Sequence, residues 1–145
     1  LVNIAVKNSL DYKLIDPCCG VGTVVIEALS MGINVEGCEI NKHIAENAKK
    51  NLEFFGYENV VDCRDMHTIE EKYDVAIIDL PYGLFTATTL EEQVALIKTA
   101  RRITKKLILV TFENMDEHII ESGFKILQKS YVCKGKFKRY INICE

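Results

Sequence analysis

Tryptophan is absent from this chain, and proline occurs only twice, at Pro17 and Pro81. Such a composition leaves no Pro-rich linker, and no repeat or low-complexity tract interrupts the sequence. Histidine is scarce too, at three residues. The six cysteines (Cys18, Cys19, Cys38, Cys63, Cys133 and Cys144) include no Cys-x-x-Cys pair and have no His cluster beside them, which argues against zinc. A disulfide scaffold does not suit a 145-residue chain with 48% apolar residues. The thiols are therefore expected to be reduced, buried, small hydrophobes of a cytoplasmic protein. Cys18-Cys19 lacks a nearby His to activate a nucleophile. No apolar run approaches the roughly 20 residues that cross a bilayer, and no stretch has the pattern of a secretory signal.

A strong excess of either charge is also missing. The net charge of -3 makes the whole chain no magnet for phosphates. The distribution is uneven, however: Lys125, Lys129, Lys134, Lys136, Lys138 and Arg139 follow one another with no acid between them. That stripe suits either a phosphate contact or the solvated face of a hairpin. The length fits one domain with a full core. Leu1 to Val6 reads as the end of a helix that starts upstream, so a fragment of a longer protein is expected, with recognition elements in the remainder.

Short apolar runs alternate with helical patterns, the signature of an α/β fold with a mostly parallel sheet and helices on both faces. Strands are expected at 13–16, 34–40, 60–64, 73–79 and 106–112. Helices are expected at 23–31, 42–55, from Thr89 onward behind a Thr89/Glu92 capping box, and at 116–121. Ile44, Ala48, Leu52 and Phe55 are expected on one buried helix face, and Leu90, Val94 and Ile97 on another. Two long segments, 124–132 and 137–144, flank Gly135 and read as an antiparallel hairpin.

The first strand runs into Asp16-Pro17-Cys18-Cys19-Gly20-Val21-Gly22-Thr23. Gly20 and Gly22 allow positive φ and close approach of a ligand to the backbone, at the carboxyl end of a strand where open α/β sheets bind ligands. No Lys follows at P-loop spacing, and Val25 stands where a dinucleotide loop has its third glycine. Asp16 would repel a pyrophosphate and favour a cation. Glu39 can accept both ribose hydroxyls of a nucleoside, and Asp65 an adenine amino group. One such acid would more simply cap the next helix; acids closing four successive strands, with Asp79 the fourth, weaken that alternative. Asp79-Leu80-Pro81-Tyr82-Gly83 follows the apolar run Val75 to Ile78. It offers a carboxylate, a backbone preset by proline and an aromatic face, a set able to grip a planar amine.

These two motifs resemble the class I S-adenosylmethionine-dependent methyltransferases, and in particular the RNA methylase group that includes tRNA guanine-N2 methyltransferases with an N-terminal THUMP domain. Asp16 to Thr23 is similar to that group's cofactor loop, and Asp79 to Gly83 to its Asp-Pro-Pro-Tyr-Gly, with Leu80 in place of the first proline. The resemblance implies a Rossmann-like fold with a seven-stranded sheet. It also implies S-adenosylmethionine bound by Asp16, Pro17, Cys18, Gly20, Gly22, Thr23, Glu39, Ile40, Asp65, Met66 and Asp79. Asp79 and the Leu80 carbonyl would orient an exocyclic NH2, Asp79 would take its proton, Pro81 would stiffen the turn and Tyr82 would stack on the base. The acceptor implied is a nucleobase in tRNA or rRNA, with Lys134, Lys136, Lys138 and Arg139 near its phosphates. A DNA adenine methyltransferase uses a similar tetrapeptide. A dehydrogenase lacks support in the glycine pattern, and a non-catalytic binding module is favoured only by Leu80.

Overall fold

A computed structural model describes residues 1–7, 11–81, 88–135 and 137–145. Tyr82, Gly83 and Lys136 lie outside the described residues, as does the side chain of Lys134. The elements run α1 (Val2–Val6), β1 (Leu14–Asp16), α2 (Thr23–Ser30), β2 (Val35–Cys38), α3 (Lys42–Phe54), β3 (Val61–Asp62), a 3-10 turn (Met66–Thr68), β4 (Tyr73–Asp79), α4 (Leu90–Ile103), β5 (Thr104–Thr111), α5 (Asp116–Glu121), β6 (Ile126–Lys134) and β7 (Phe137–Cys144). They build a seven-stranded sheet in the order β3-β2-β1-β4-β5-β7-β6. The first five strands are parallel, and β7 enters antiparallel between β5 and β6.

Strand alternation divides the core into two layers, because successive side chains of a strand point to opposite faces. Ile15, Ile78, Leu107 and Leu109 pack with Ile97, Ala100 and Ile103 of α4 and Ile119 of α5. Leu14, Val75, Ile77 and Ile108 pack on the other side with residues of α1, α2 and α3. The parallel strands thus read as nearly continuous apolar runs, as they must when both faces are covered.

Several expected boundaries shift. The second and third strands are shorter than read from sequence, so Glu39 and Asp65 lie just beyond β2 and β3. Phe55 is not on the buried face of α3: it is exposed and meets Phe54 edge to face, while Ala45, Ala48 and Leu52 make the contact. Leu90 is likewise exposed in the first turn of α4. The capping box of Thr89 and Glu92 forms as expected.

Close packing in β2 depends on Gly37. A Cβ there would lie 2.9 Å from a Val25 methyl, 3.2 Å from a Val61 methyl and 3.3 Å from the Cys19 Cβ. Gly37→Ala should therefore destabilise the fold by about 1–3 kcal/mol, the cost of overpacking a filled core. Urea unfolding measures it, and an unchanged midpoint would mean that the two valines yield.

A buried cation ties α1 to the sheet. The Lys106 ammonium of β5 donates to the Ile4 carbonyl at 3.3 Å and to the Ala5 carbonyl. These carbonyls end a helix and have no partner within it. Burial lowers the Lys106 pKa, the direction expected for a desolvated amine. Among the described residues, no helix is long and apolar enough to cross a membrane.

Candidate active site

The carboxyl ends of β1, β2 and β4 bring the sequence-predicted acids to one edge. β1 ends at Asp16, which is 4% exposed. The chain then turns through Gly20 at φ 54° and Gly22 at φ 88° into α2. Both angles lie in the left-handed region, where a side chain is strained. α3 packs beside Gly22, where a Cβ would meet the Ala48 Cβ at an ordinary contact of 3.4 Å, so the positive φ and not space is what favours glycine. At Gly20 nothing lies within 4 Å of the Cβ position, so its backbone faces open space.

Glu39 crosses back to this loop. Its Oε2 accepts from the Gly20 N–H at 3.1 Å and its Oε1 from the Asn41 N–H at 2.8 Å. Asn41, not Glu39, caps α3. The next residue, Ile40, leaves an apolar side chain 68% exposed at the strand ends. Asp65 caps the 3-10 turn, its Oδ1 accepting from the His67 N–H at 2.9 Å. Met66 is buried, with its sulfur 3.7 Å from the Cys18 sulfur.

The electrostatics centre on Asp16. Burial raises its pKa from 3.8 to about 7; the Cys18 N–H, 3.3 Å away, opposes the shift, and the Asp79 and Glu39 carboxylates add to it. Two neighbouring acids thus act on buried Asp16, and a cation beside it would relieve the repulsion. Burial also pushes the thiols of Cys18 and Cys19 upward and that of Cys38 to about 12. None is an activated nucleophile.

Asp79 closes β4 with its side chain exposed to solvent. Leu80 is buried and its N–H bonds the Val110 carbonyl at 3.0 Å, continuing the sheet. Gln93 of α4 donates to the Pro81 carbonyl at 3.2 Å and anchors the turn. Sequence reasoning missed the partner of Asp79. The Arg139 guanidinium of β7 donates to both carboxylate oxygens. The two residues are 60 positions apart, and only the entry of β7 beside β5 brings them together. Arg139, expected at RNA phosphates, is paired with Asp79 in this structure.

β7 overshoots its neighbour. Its last pair with β5 is Thr111 with Tyr140, whereas pairing with β6 continues through Val132–Arg139, Cys133–Lys138 and Lys134–Phe137. The hairpin thus rises past the edge that carries Asp79. Lys138 stands on this overhang, its ammonium 4.2 Å from the Tyr131 ring centre and 4.7 Å from that of Tyr140.

A cleft of about 880 Å³ opens at the opposite edge, between the starts of β4 and β5. Its cations serve the backbone: Lys72 donates to the Arg102 carbonyl, Arg101 to Gly123 and Arg102 to His67. Its lining includes neither Asp16, Glu39, Asp65 or Asp79 nor the glycine loop.

Known proteins are similar to this chain in sequence and in fold. A family model described as RMKL-like, methyltransferase domain, matches residues 1–118. The tRNA (guanine(10)-N2)-dimethyltransferase of Methanothermobacter thermautotrophicus is 33% identical over 96 residues, covering 63% of this chain and 28% of that protein. The enzyme of the same name from Methanocaldococcus jannaschii is 28% identical over 154 residues, covering 99% of this chain and 43% of its own length. The chain thus spans less than half of these curated relatives. Magnesium protoporphyrin IX methyltransferase from Synechocystis PCC 6803, crystallised with bound S-adenosylmethionine, superposes with a TM-score of 0.81 at 21% identity, covering 95% of this chain and 72% of that one.

Proposed function

The chain belongs to the RMKL-like methyltransferase domain family, and on that premise we propose that it transfers a methyl group from S-adenosylmethionine to an exocyclic amine of a nucleobase, guanine N2 in tRNA. The observation that carries the reading is the convergence at one sheet edge of an acid-rich glycine loop and the solvent-facing Asp79.

The residues fit the cofactor. Open space at Gly20 admits a ligand against the backbone, buried Asp16 suits a cation, and Glu39 and Asp65 supply acceptors for hydroxyl and amino groups. Exposed Ile40 and buried Met66 would cover an apolar ring face, with Pro17, Cys18, Gly22 and Thr23 completing the loop. The bound cofactor would supply a methyl group on a sulfonium, which needs no activation by the protein.

What remains for the protein is alignment. Asp79 and the Leu80 carbonyl would accept from the NH2 group and turn its lone pair toward the methyl, an arrangement worth several orders of magnitude in effective concentration. As the nitrogen loses its lone pair it gains positive charge, and the Asp79 carboxylate stabilises that charge. Asp79 would then receive the proton. Buried Leu80 and the Gln93 bond to Pro81 hold this turn without the family's first proline. Tyr82 is assigned the base-stacking role. A paired nucleotide would have to leave its stack to reach this edge. Lys134, Lys136 and Lys138 of the hairpin are assigned to phosphates, the general source of affinity for nucleic acid.

Supporting tRNA as the acceptor class are the names of the two archaeal relatives. Incubating the purified protein with S-adenosylmethionine carrying a labelled methyl should mark total RNA, with the label recovered as N2-methylated guanine. Label in unmethylated DNA as N6-methyladenine, with none in RNA, would replace this reading by DNA adenine methylation.

A further inference from the structure

We infer that Arg139 is a positioning residue for methyl acceptance: its guanidinium, delivered by the overhang of β7, sets the orientation of the Asp79 carboxylate. The inference rests on the proposed function and adds to it a residue outside both sequence motifs.

Asp79 ends its strand facing solvent, and a carboxylate there turns freely unless something grips it. The Arg139 guanidinium donates to both of its oxygens. The grip is itself braced: the guanidinium carbon lies 5.3 Å from the centre of the Phe112 ring, on the chain leaving β5. Backbone pairing fixes where the arginine starts, since Arg139 sits opposite Val132 one residue beyond the last β5–β7 pair. One residue nearer the turn, the side chain would point to the other face of the sheet, as Lys138 does when it meets Tyr131 and Tyr140.

Two physical points separate orientation from mere cohesion. The pair is exposed, with 34% of the Arg139 side chain and 44% of the Asp79 side chain accessible. Pairs this open add little to stability, so the contact is not there to hold the hairpin down. The contact also runs through one nitrogen, Nη2, which donates to both oxygens, so it holds the two oxygens level with that nitrogen while Phe112 lies against the guanidinium. The amine of a substrate would approach the carboxylate from the side that the arginine leaves open. A small error in that alignment costs rate and not affinity.

The test uses Arg139→Gln and Arg139→Lys in the full chain. In the first arm, guanidinium NMR of the protein without substrate should show slowed exchange of the Arg139 Nη protons, lost in Asp79→Asn. Free exchange in the wild type would overturn the inference with no acceptor needed. In the second arm, methyl transfer is followed on total RNA and on unmethylated DNA, so that an acceptor of either kind serves. Arg139→Gln should lower kcat about tenfold to a hundredfold, with the KM for nucleic acid and the affinity for S-adenosylmethionine within about threefold of wild type. Arg139→Lys should recover part of the rate, and both variants should melt near the wild-type temperature. A raised KM at constant kcat would make Arg139 a phosphate contact instead. An unchanged or faster rate would also overturn the inference. A wild type that binds S-adenosylmethionine yet labels neither nucleic acid would sink the proposed function, whereas an active wild type indifferent to Arg139 sinks only this inference.

Discussion

Asp79→Ala should lower methyl transfer by about a thousandfold while leaving the affinity for S-adenosylmethionine within about threefold of wild type. Two losses combine in this variant. Alanine cannot accept from the amine, so the near-attack alignment is gone, and no carboxylate faces the developing positive nitrogen; the second effect alone is worth about 10²–10³ in rate at comparable sites. Binding should survive because, among the described residues, Asp79 bears on the loop through its field at Asp16, where it ranks behind burial. Stability should change by less than about 1 kcal/mol, since the ion pair with Arg139 is exposed. Single-turnover transfer of labelled methyl, with calorimetry for the cofactor, separates the two effects. Wild-type turnover in this variant would remove Asp79 from the chemistry.

The second large effect is on pH dependence, through Asp16. Its carboxyl is raised from 3.8 to about 7, chiefly by burial. A raised carboxyl means that the folded protein holds this proton more tightly than the unfolded chain between those values. The associated stability is fully present below about pH 4, declines as pH rises and is lost above about pH 7, an effect of up to about 4 kcal/mol at 1.36 kcal/mol per pH unit. This sign is opposite to that of an Asp held in a salt bridge. A cation in the loop reverses the preference, because it favours the ionised form. Affinity for S-adenosylmethionine should therefore fall up to about tenfold per pH unit below 7, with a proton released on binding. Asp16→Asn should bind more weakly at pH 8 and show neither the binding slope nor the loss of apo stability between pH 4 and 7. Paired calorimetry and thermal melts across this range give both readings. Equal pH slopes in wild type and variant would detach Asp16 from the cofactor.

How far these features could be seen in the sequence depends on how local their causes are. β4 runs from Tyr73 to Asp79 as expected, because a buried parallel strand writes itself as an unbroken apolar run. The Thr89–Glu92 capping box is a contact over three residues and was equally legible. Phe55 misled because helical spacing places it on the apolar stripe, yet it is the C-terminal cap of α3 and is exposed. The acids after β1, β2 and β4 were visible as residues at the ends of apolar runs. Asp65 lies three residues past β3 and also caps the next turn through Oδ1, a local contact that the sequence already offered. Arg139 lay beyond reach for a different reason. Nothing in residues 137–144 says that β7, and not β6, joins β5, and that order alone decides which basic residue of the hairpin faces Asp79.

The cluster of sulfur at the glycine loop bears on a hazard inherent in handling an alkylating agent. Cys18, Cys19 and Cys38 surround the turn that would cradle a methyl sulfonium, and any of them as a thiolate would attack it. Burial and neighbouring carboxylates push all three thiols upward, and their sulfurs lie within hydrogen-bonding reach of the Met66 sulfur and the Gly20 and Pro17 carbonyls. On the proposed function, burial with help from the acids that would attract the cofactor would also keep these thiols from taking its methyl group.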